Sequence, residues 1–337
     1  MRPTHEFKPD EYLVTHFVNP GQTGIRLDTF LKERYRKRSR EQIKRAIDAG
    51  SILIQRTQGP HVSVGRLKAS TQLIGGDEVL VVSERKPEPE VCFDYRIVFE
   101  DEVLLVIDKP SNLPVHPAGR YFFNTLLIHL RTHGHSINKL KAEAEYFLPH
   151  RIDKETSGVL VLTKDKEVCA HIVRQFAERT TSKHYLALVH GTPPKDFSID
   201  APLKRSTNSI IELKMMTAPE DQGGQNAFTA FRTLETRGKY SLVECFPKTG
   251  RQHQIRIHLE IAGHPIVGDK LYGLPEEEAA RYYERKHQTP EALARLILPR
   301  HALHAAGIEI QHPITRQQIQ FNSGLPPDLQ SFFDAQT

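Results

Sequence analysis

The sequence predicts an α+β protein of two domains: a small, basic N-terminal α/β unit and a larger α+β domain after it. Three observations carry this. First, segments with apolar residues at helical spacing are interleaved with short aliphatic or alternating runs that read as strands, and nothing repeats at a fixed period. Second, Glu84-Arg85-Lys86-Pro87-Glu88-Pro89-Glu90 is charged and proline-punctuated, the composition of a linker. Third, charge is unevenly placed. Between Ile25 and Arg56 stand ten Lys/Arg against four Asp/Glu, a surplus of +6 that exceeds the +5 of the whole 337-residue chain. A basic excess confined to one small unit points to a polyanionic partner; its bland counterpart is a solvated helix face.

Taken in order, residues 1–24 read as a polar lead-in with a turn at Pro20-Gly21. Leu27, Phe30 and Leu31 share one face of a first helix. Ser39 and Gln42 form a capping-box pattern for a second, striped by Ile43, Ala46 and Ile47 and ended by Gly50. Ile52 and Ile54 mark a short strand, and Val79 to Val82 another. Beyond the linker, Arg96 to Glu102 and Val103 to Pro110 form a hairpin-like strand pair. Pro110, Pro114 and Pro117 then stiffen an irregular loop. A helix follows through Leu126, Leu127 and Leu130, and 131–146 is a polar insert. Glu167 to Arg179 is an amphipathic helix, and Lys183 to Gly191 alternates as a half-exposed strand. Ala227 to Leu234 and Ser241 to Phe246 are strands, and Gly268 to Gly273 is a loop. Residues 274–299 read as a charged insert with helices at Glu276 to Lys286 and Pro290 to Leu298. His301 to Ala306 and Gly307 to Gln311 lead to a last strand at Gln318 to Phe321.

Cys92, Cys169 and Cys245 are scattered and odd in number, as expected of free thiols in a reducing compartment. No segment resembles a signal peptide and no apolar run is long enough to span a bilayer, so a cytoplasmic protein is expected.

The chemistry centres on Pro149-His150-Arg151-Ile152-Asp153-Lys154-Glu155-Thr156-Ser157-Gly158, which runs into Val159-Leu160-Val161-Leu162. The aliphatic run reads as a buried strand, so the turn hangs its charges on the edge of a core. Asp153 stands among His150, Arg151 and Lys154. Such a carboxylate stays ionised, as a nucleophile or an electrostatic stabiliser requires. The competing reading is a capped turn with solvated charges.

Two resemblances sharpen this. Arg26 to Leu31, Ser39-Arg40, Ile43-Lys44, Asp48 to Ile54 and Gly76-Asp77 resemble the small RNA-binding domain named after ribosomal protein S-four, the alpha-L motif. The likeness covers residues 25–83, with a longer loop from Gln55 to Ala69 than is usual. By its charge alone such a unit is expected to dock its second helix on phosphates through Arg38, Arg40, Lys44 and Arg45, with little sequence readout. Residues 91–333 resemble the RluA-type RNA pseudouridine synthases. His150 to Gly158 looks like their H-R-L-D-x-x-T-S-G signature. Four more blocks agree in order: Lys109-Pro110 with Val115-His116-Pro117; Lys183, Tyr185, Ala187 and Gly191; Gly250-Arg251 to Leu259, continuing to Gly273; and Arg300, Leu303, His304 and Ala305.

This resemblance implies a mixed, mainly antiparallel sheet flanked by helices, with RNA in a cleft across it. It also implies a reaction. Uridine is detached from its ribose, rotated and rejoined through a ring carbon, with no cofactor and no metal. Asp153 matches the catalytic aspartate, Arg256 the arginine that pairs with it, and Tyr185 the tyrosine under the uracil. Arg151 matches the arginine that fills the gap left by the flipped nucleotide. Arg251 is a further candidate RNA contact. His253 and His258 lack an acid or cysteine partner for a metal site, and Asp269 and Tyr272 are expected to hold a loop. Asn112 stands where the family has glycine, and Asn tolerates the left-handed backbone such a turn needs.

Large-subunit rRNA is the expected substrate of a monomeric enzyme. The anticodon arm of tRNA is the alternative, because Val115 to Thr125 resembles some tRNA-modifying relatives. A non-catalytic RNA-binding or ribosome-assembly factor and a metal-dependent RNA hydrolase are the readings from other classes.

Overall fold

The computed structural model describes residues 3–8, 11–56, 66–133, 145–284 and 296–337. Most of the expected loop at 55–69, of the insert at 131–146 and of the Pro290 to Leu298 helix lies outside these residues. The chain divides into two compact units, Met1–Glu88 and Pro89–Thr337.

In the first unit, strands β1 (Thr4–Phe7), β2 (Glu11–Phe17), β3 (Ile52–Arg56) and β4 (Asp77–Glu84) form an antiparallel sheet in the order β1-β2-β4-β3. Helices α1 (Leu27–Arg34) and α2 (Arg40–Asp48) bury Leu27, Phe30, Leu31, Ile43 and Ile47 against Val14, Ile52, Ile54, Val79 and Val81. Each such buried aliphatic contributes roughly 1.5–3 kcal/mol. The Ser39–Gln42 capping box forms as expected. The expectation of a lead-in at 1–24 is corrected: β2 pairs with β4 over its full length. The strand was masked because His16, polar in sequence, lies buried and hydrogen-bonds the Tyr35 hydroxyl at 2.9 Å.

In the second unit the main sheet contains β5 (Arg96–Glu100), β6 (Leu104–Lys109), β7 (Ser157–Thr163), β8 (Ser182–His190) and β9 (Asp196–Asp200). The short strands β10 (Leu203–Arg205) and β11 (Met215–Thr217) pair separately. The main sheet continues with β12 (Phe228–Arg237), β13 (Tyr240–Pro247), β14 (Leu303–Gln311) and β15 (Gln318–Asn322). Its order is β5-β6-β7-β14-β8-β13-β12-β9, with β15 beside β14. Only β7 and β14 run parallel, so the sheet is mixed and mainly antiparallel, as expected. The described α-helices of this unit are α3 (Leu126–His133), α4 (Lys166–Glu178), α5 (Gln254–Ile261), α6 (Glu276–Glu284) and α7 (Pro327–Asp334).

The β7 run is aliphatic throughout because both its faces are covered. Val159 and Val161 pack with Val168 and Ile172 of α4, while Leu160 and Leu162 pack with Leu126 and Leu130 of α3. Gly158, at φ +108, lets β7 approach β14: a Cβ there would stand 2.2 Å from the Ala305 carbonyl oxygen. Asn112 adopts φ +57, the left-handed turn expected of it.

Three readings are corrected. The β8 strand does not alternate, since Ala187, Leu188 and Val189 are all buried between layers. The two segments from His301 to Gln311 are one strand, β14, with a register shift between His304 and Gly307. Helix α7 was not anticipated; its Leu329 and Phe333 close the cluster around Ala187, Val243 and Leu259.

Candidate active site

The loop before β7 is pinned from below. Lys109, at 0% exposure, donates to the carbonyls of Pro110, Leu113 and Lys154 at 2.8, 3.0 and 3.1 Å. All three ammonium protons are used. Burial still pushes this lysine down to about 7, with Asp153 opposing. At the other end, Thr156 Oγ1 meets His301 Nε2 at 2.8 Å, and Ser157 Oγ meets His304 Nδ1 at 2.9 Å. Asp153 is thus presented from a loop clamped on both sides.

Arg256 comes from the first turn of α5, whose residues Gln254 to Leu259 are all buried. Its Nη1 donates to Asp153 Oδ2 at 2.9 Å. Its Nε and Nη2 donate to Asp269 Oδ2 and Oδ1 at 2.6 and 2.8 Å. Asp269 is fully buried and also accepts the backbone N–H groups of Leu271 and Tyr272. One guanidinium therefore bridges two carboxylates, a role lysine cannot fill.

Burial by itself would raise the Asp153 acid. The surrounding positive groups outweigh it, and the carboxyl lies well below its usual range. His253 and His301 are close, but burial pushes each to about 4, so both are neutral at pH 7. Arg256 is the standing cation, held charged against its own burial by Asp269 first and Asp153 second. Burial, then the Asp153 charge, push Tyr185 up, so its hydroxyl keeps its proton at neutral pH.

Asp153, Arg256 and Tyr185 share the wall of a cavity of about 440 Å³, a size that suits a small ligand. Among the described residues, six cations line it (Arg151, Arg179, Lys183, Lys248, Arg251 and Arg256) against the single acid Asp153. Such a cleft attracts a polyanion.

Comparison with known proteins agrees with this geometry. Residues 103–261 match the RNA pseudouridylate synthase family. Ribosomal large subunit pseudouridine synthase D of Zymomonas mobilis is 34% identical over 311 residues, covering 92% of this chain and 93% of its own. The chain belongs to the RluA-type RNA pseudouridine synthases. Mitochondrial tRNA pseudouridine(32) synthase of Saccharomyces cerevisiae is also similar, 32% identical over 81% of this chain and 56% of its own. Among solved structures, human RNA pseudouridylate synthase domain containing 4 covers 71% of this chain and 91% of its own, with 29% identity and a TM-score of 0.53.

In this synthase Arg151 is exposed at the cleft, its guanidinium 3.5 Å from His116 Nε2. Arg251 also lines the cleft, with Nε donating to the Asn226 carbonyl at 3.1 Å. His258 turns away to Thr229 and the Ala201 carbonyl. In the first unit Arg40 and Lys44 are exposed and carry no ion pair among the described residues. Arg45 pairs with Glu41 at 3.4 Å, and Arg38 is half-buried over the Tyr35 ring. Arg179, Lys183 and Lys248 of the cleft were not singled out as RNA contacts from sequence. Lys183, pushed down to about 8 by burial, donates to the Thr249 carbonyl at 2.8 Å. Arg179 ends α4 in a left-handed backbone at φ +59, where the Thr180 N–H closes the helix on the Gln175 carbonyl at 3.0 Å. No described helix is long and apolar enough to cross a membrane.

Proposed function

We propose that this synthase isomerises uridines of large-subunit rRNA, with Asp153 as the nucleophile. The observation that carries the reading is the ionised Asp153 carboxylate, paired with Arg256 in the wall of a six-cation cleft. A uridine swings out of its stack into the cleft, at a cost of a few kcal/mol. Arg151, exposed and planar, replaces part of the lost stacking. Asp153 donates an electron pair to the sugar or the base, the glycosidic bond breaks, and the uracil turns. A carbon–carbon bond to the sugar forms, the Asp153 ester bond breaks and returns its pair to the carboxylate, and the joining ring carbon loses its proton while the former glycosidic nitrogen gains one. Tyr185 supports the ring with its aromatic face.

Relatives named for large-subunit rRNA match 92–94% of this chain, N-terminal unit included, which supports that substrate. The basic helix of that unit, with Arg40 and Lys44 exposed, suits a structured RNA. The tRNA reading is favoured by the yeast relative. Mapping pseudouridines in total RNA from cells with and without the gene separates them. One or a few large-subunit sites are expected to disappear. Loss confined to tRNA anticodon arms would replace the substrate, and no loss in either RNA would remove the reading.

Arg179 and Lys248 have no ion-pair partner among the described residues and line the same cleft. Converting both to Ala is expected to weaken RNA binding about tenfold near physiological salt, and to flatten the salt dependence by roughly one to two charges. Filter binding across a salt series checks this; an unchanged slope would place both side chains off the RNA.

A further inference from the structure

The two oxygens of Asp153 have different surroundings. Oδ2 takes the Arg256 Nη1 hydrogen bond at 2.9 Å, and His253 Nε2 approaches the same atom at 4.0 Å. Oδ1 receives no hydrogen bond among the described residues.

His253 is the N-cap of α5, in a left-handed backbone at φ +55. Its Nδ1 lies 2.8 Å from the Tyr272 hydroxyl. Tyr272 is 1% exposed, and its oxygen accepts the backbone N–H of Met215 at 3.1 Å. An amide N–H only donates, so the single proton of Tyr272 needs an acceptor. The imidazole Nδ1 is that acceptor. A second argument agrees: a bare Nε2 lone pair facing a carboxylate oxygen would be repelled, whereas an Nε2–H is attracted. Tyr272 is itself held by the Arg256 guanidinium, 5.0 Å over its ring.

We propose that Tyr272 fixes His253 as the Nε2–H tautomer, and that His253 and Arg256 together hold Asp153 Oδ2, leaving Oδ1 as the oxygen that attacks the uridine. This rests on Asp153 being the nucleophile. Oδ1 supplies the pair that forms the new C–O bond. In attack on the sugar, the pair of the breaking glycosidic bond leaves with the uracil. In attack on the base, the pair of the ring C–C double bond shifts toward its carbonyl oxygen. Either way Asp153 becomes an ester whose carbonyl oxygen is Oδ2, still hydrogen-bonded by Arg256 and faced by His253 Nε2 at 4.0 Å. His253 and Tyr272 are positioning residues. Both act through Asp153.

The direct test is nitrogen NMR of the His253 imidazole in the full, RNA-free chain, assigned by its absence in His253→Gln. The Nε2–H tautomer is expected, with a mixture in Tyr272→Phe; an Nδ1–H tautomer in the parent protein overturns the proposal. The kinetic test is a double-mutant cycle. Tyr272→Phe is expected to lower kcat about tenfold, the upper end of what one neutral hydrogen bond contributes, with KM for RNA nearly unchanged. Added to His253→Gln, whose amide has no tautomer to fix, the same change is expected to cost little. Equal cost in both backgrounds would mean a merely structural tyrosine and sinks the idea. Should Tyr272→Phe fail to fold, the parent spectrum still decides. An active Asp153→Asn enzyme would remove the nucleophile assignment while leaving the tautomer result standing, so the two failures are distinguishable.

Discussion

Asp153→Asn is expected to abolish uridine isomerisation, with kcat falling about 10⁴-fold or more. The amide is isosteric and cannot supply the electron pair the reaction begins with. The fold is expected to survive, because Arg256 keeps both its bonds to Asp269. RNA binding is expected to persist, since six cations still line the cleft. In the parent enzyme the pH profile adds a check. The Asp153 carboxyl lies below its usual range, so its protonation does not limit activity from neutrality down to at least about pH 5, where ordinary carboxylates are still ionised. Single-turnover conversion of an rRNA fragment reads out the loss of activity and the pH profile, and thermal unfolding and filter binding of the Asn variant read out its fold and its RNA binding. Undiminished turnover by the Asn variant would remove Asp153 as nucleophile and leave the synthase needing another.

Arg256→Met is expected to damage both activity and stability. It strands Asp269, which has no exposure, without its cation. Breaking a buried pair in this way costs about 3–5 kcal/mol. It also frees Asp153, whose carboxyl then moves back up under burial. The sign of the linkage follows. Asp269 titrates below its unfolded value in the parent, so the stability it contributes is present above the ordinary carboxylate range and is lost as pH falls through its depressed value. In Arg256→Met that contribution is gone at neutral pH as well. A companion variant separates the two roles. Arg256→Met with Asp269→Leu replaces the buried pair by apolar side chains and is expected to regain much of the stability without regaining activity. Urea unfolding beside turnover measures this. Full stability in Arg256→Met alone would show that the Asp269 pair does not hold the loop.

The two residues behind these predictions were legible to different degrees. Asp153 was visible because a charged turn running into four aliphatic residues is a local pattern, and its match to the signature needed only contiguous sequence. Arg256 and Tyr185 were found through further blocks in the right order. The structure brings all three into one cavity. The pairing of Asp153 with Arg256, 103 positions apart, was expected through the resemblance and is present at 2.9 Å. The part Asp269 plays was not legible. It read as a loop holder, and it is one, yet its larger role is to orient the arginine from the far side.

Period, capping and turn chemistry are properties of a few neighbouring residues, so the sequence by itself determined α1, α2 and the β7 run, while the left-handed turn at Asn112 was expected through the family's glycine there. It also determined which residue types the reaction has available. Where a property depends on what packs from a distance, only the tertiary structure decided it. The β2 strand was hidden by a histidine whose partner lies just past the end of α1, and α7 by a short amphipathic pattern with no side-chain cap at its start. Lys109, at the end of β6, is wholly buried because three carbonyls from two loops converge on it. The same holds for the protonation of the site. The first candidates for holding Asp153 charged were its neighbours in the chain, and the resemblance then pointed to Arg256. Those neighbours include His150, which burial pushes down to about 3 and leaves neutral. Charge–charge energies depend on distance through space and on how much water intervenes, and neither quantity is written in the order of residues.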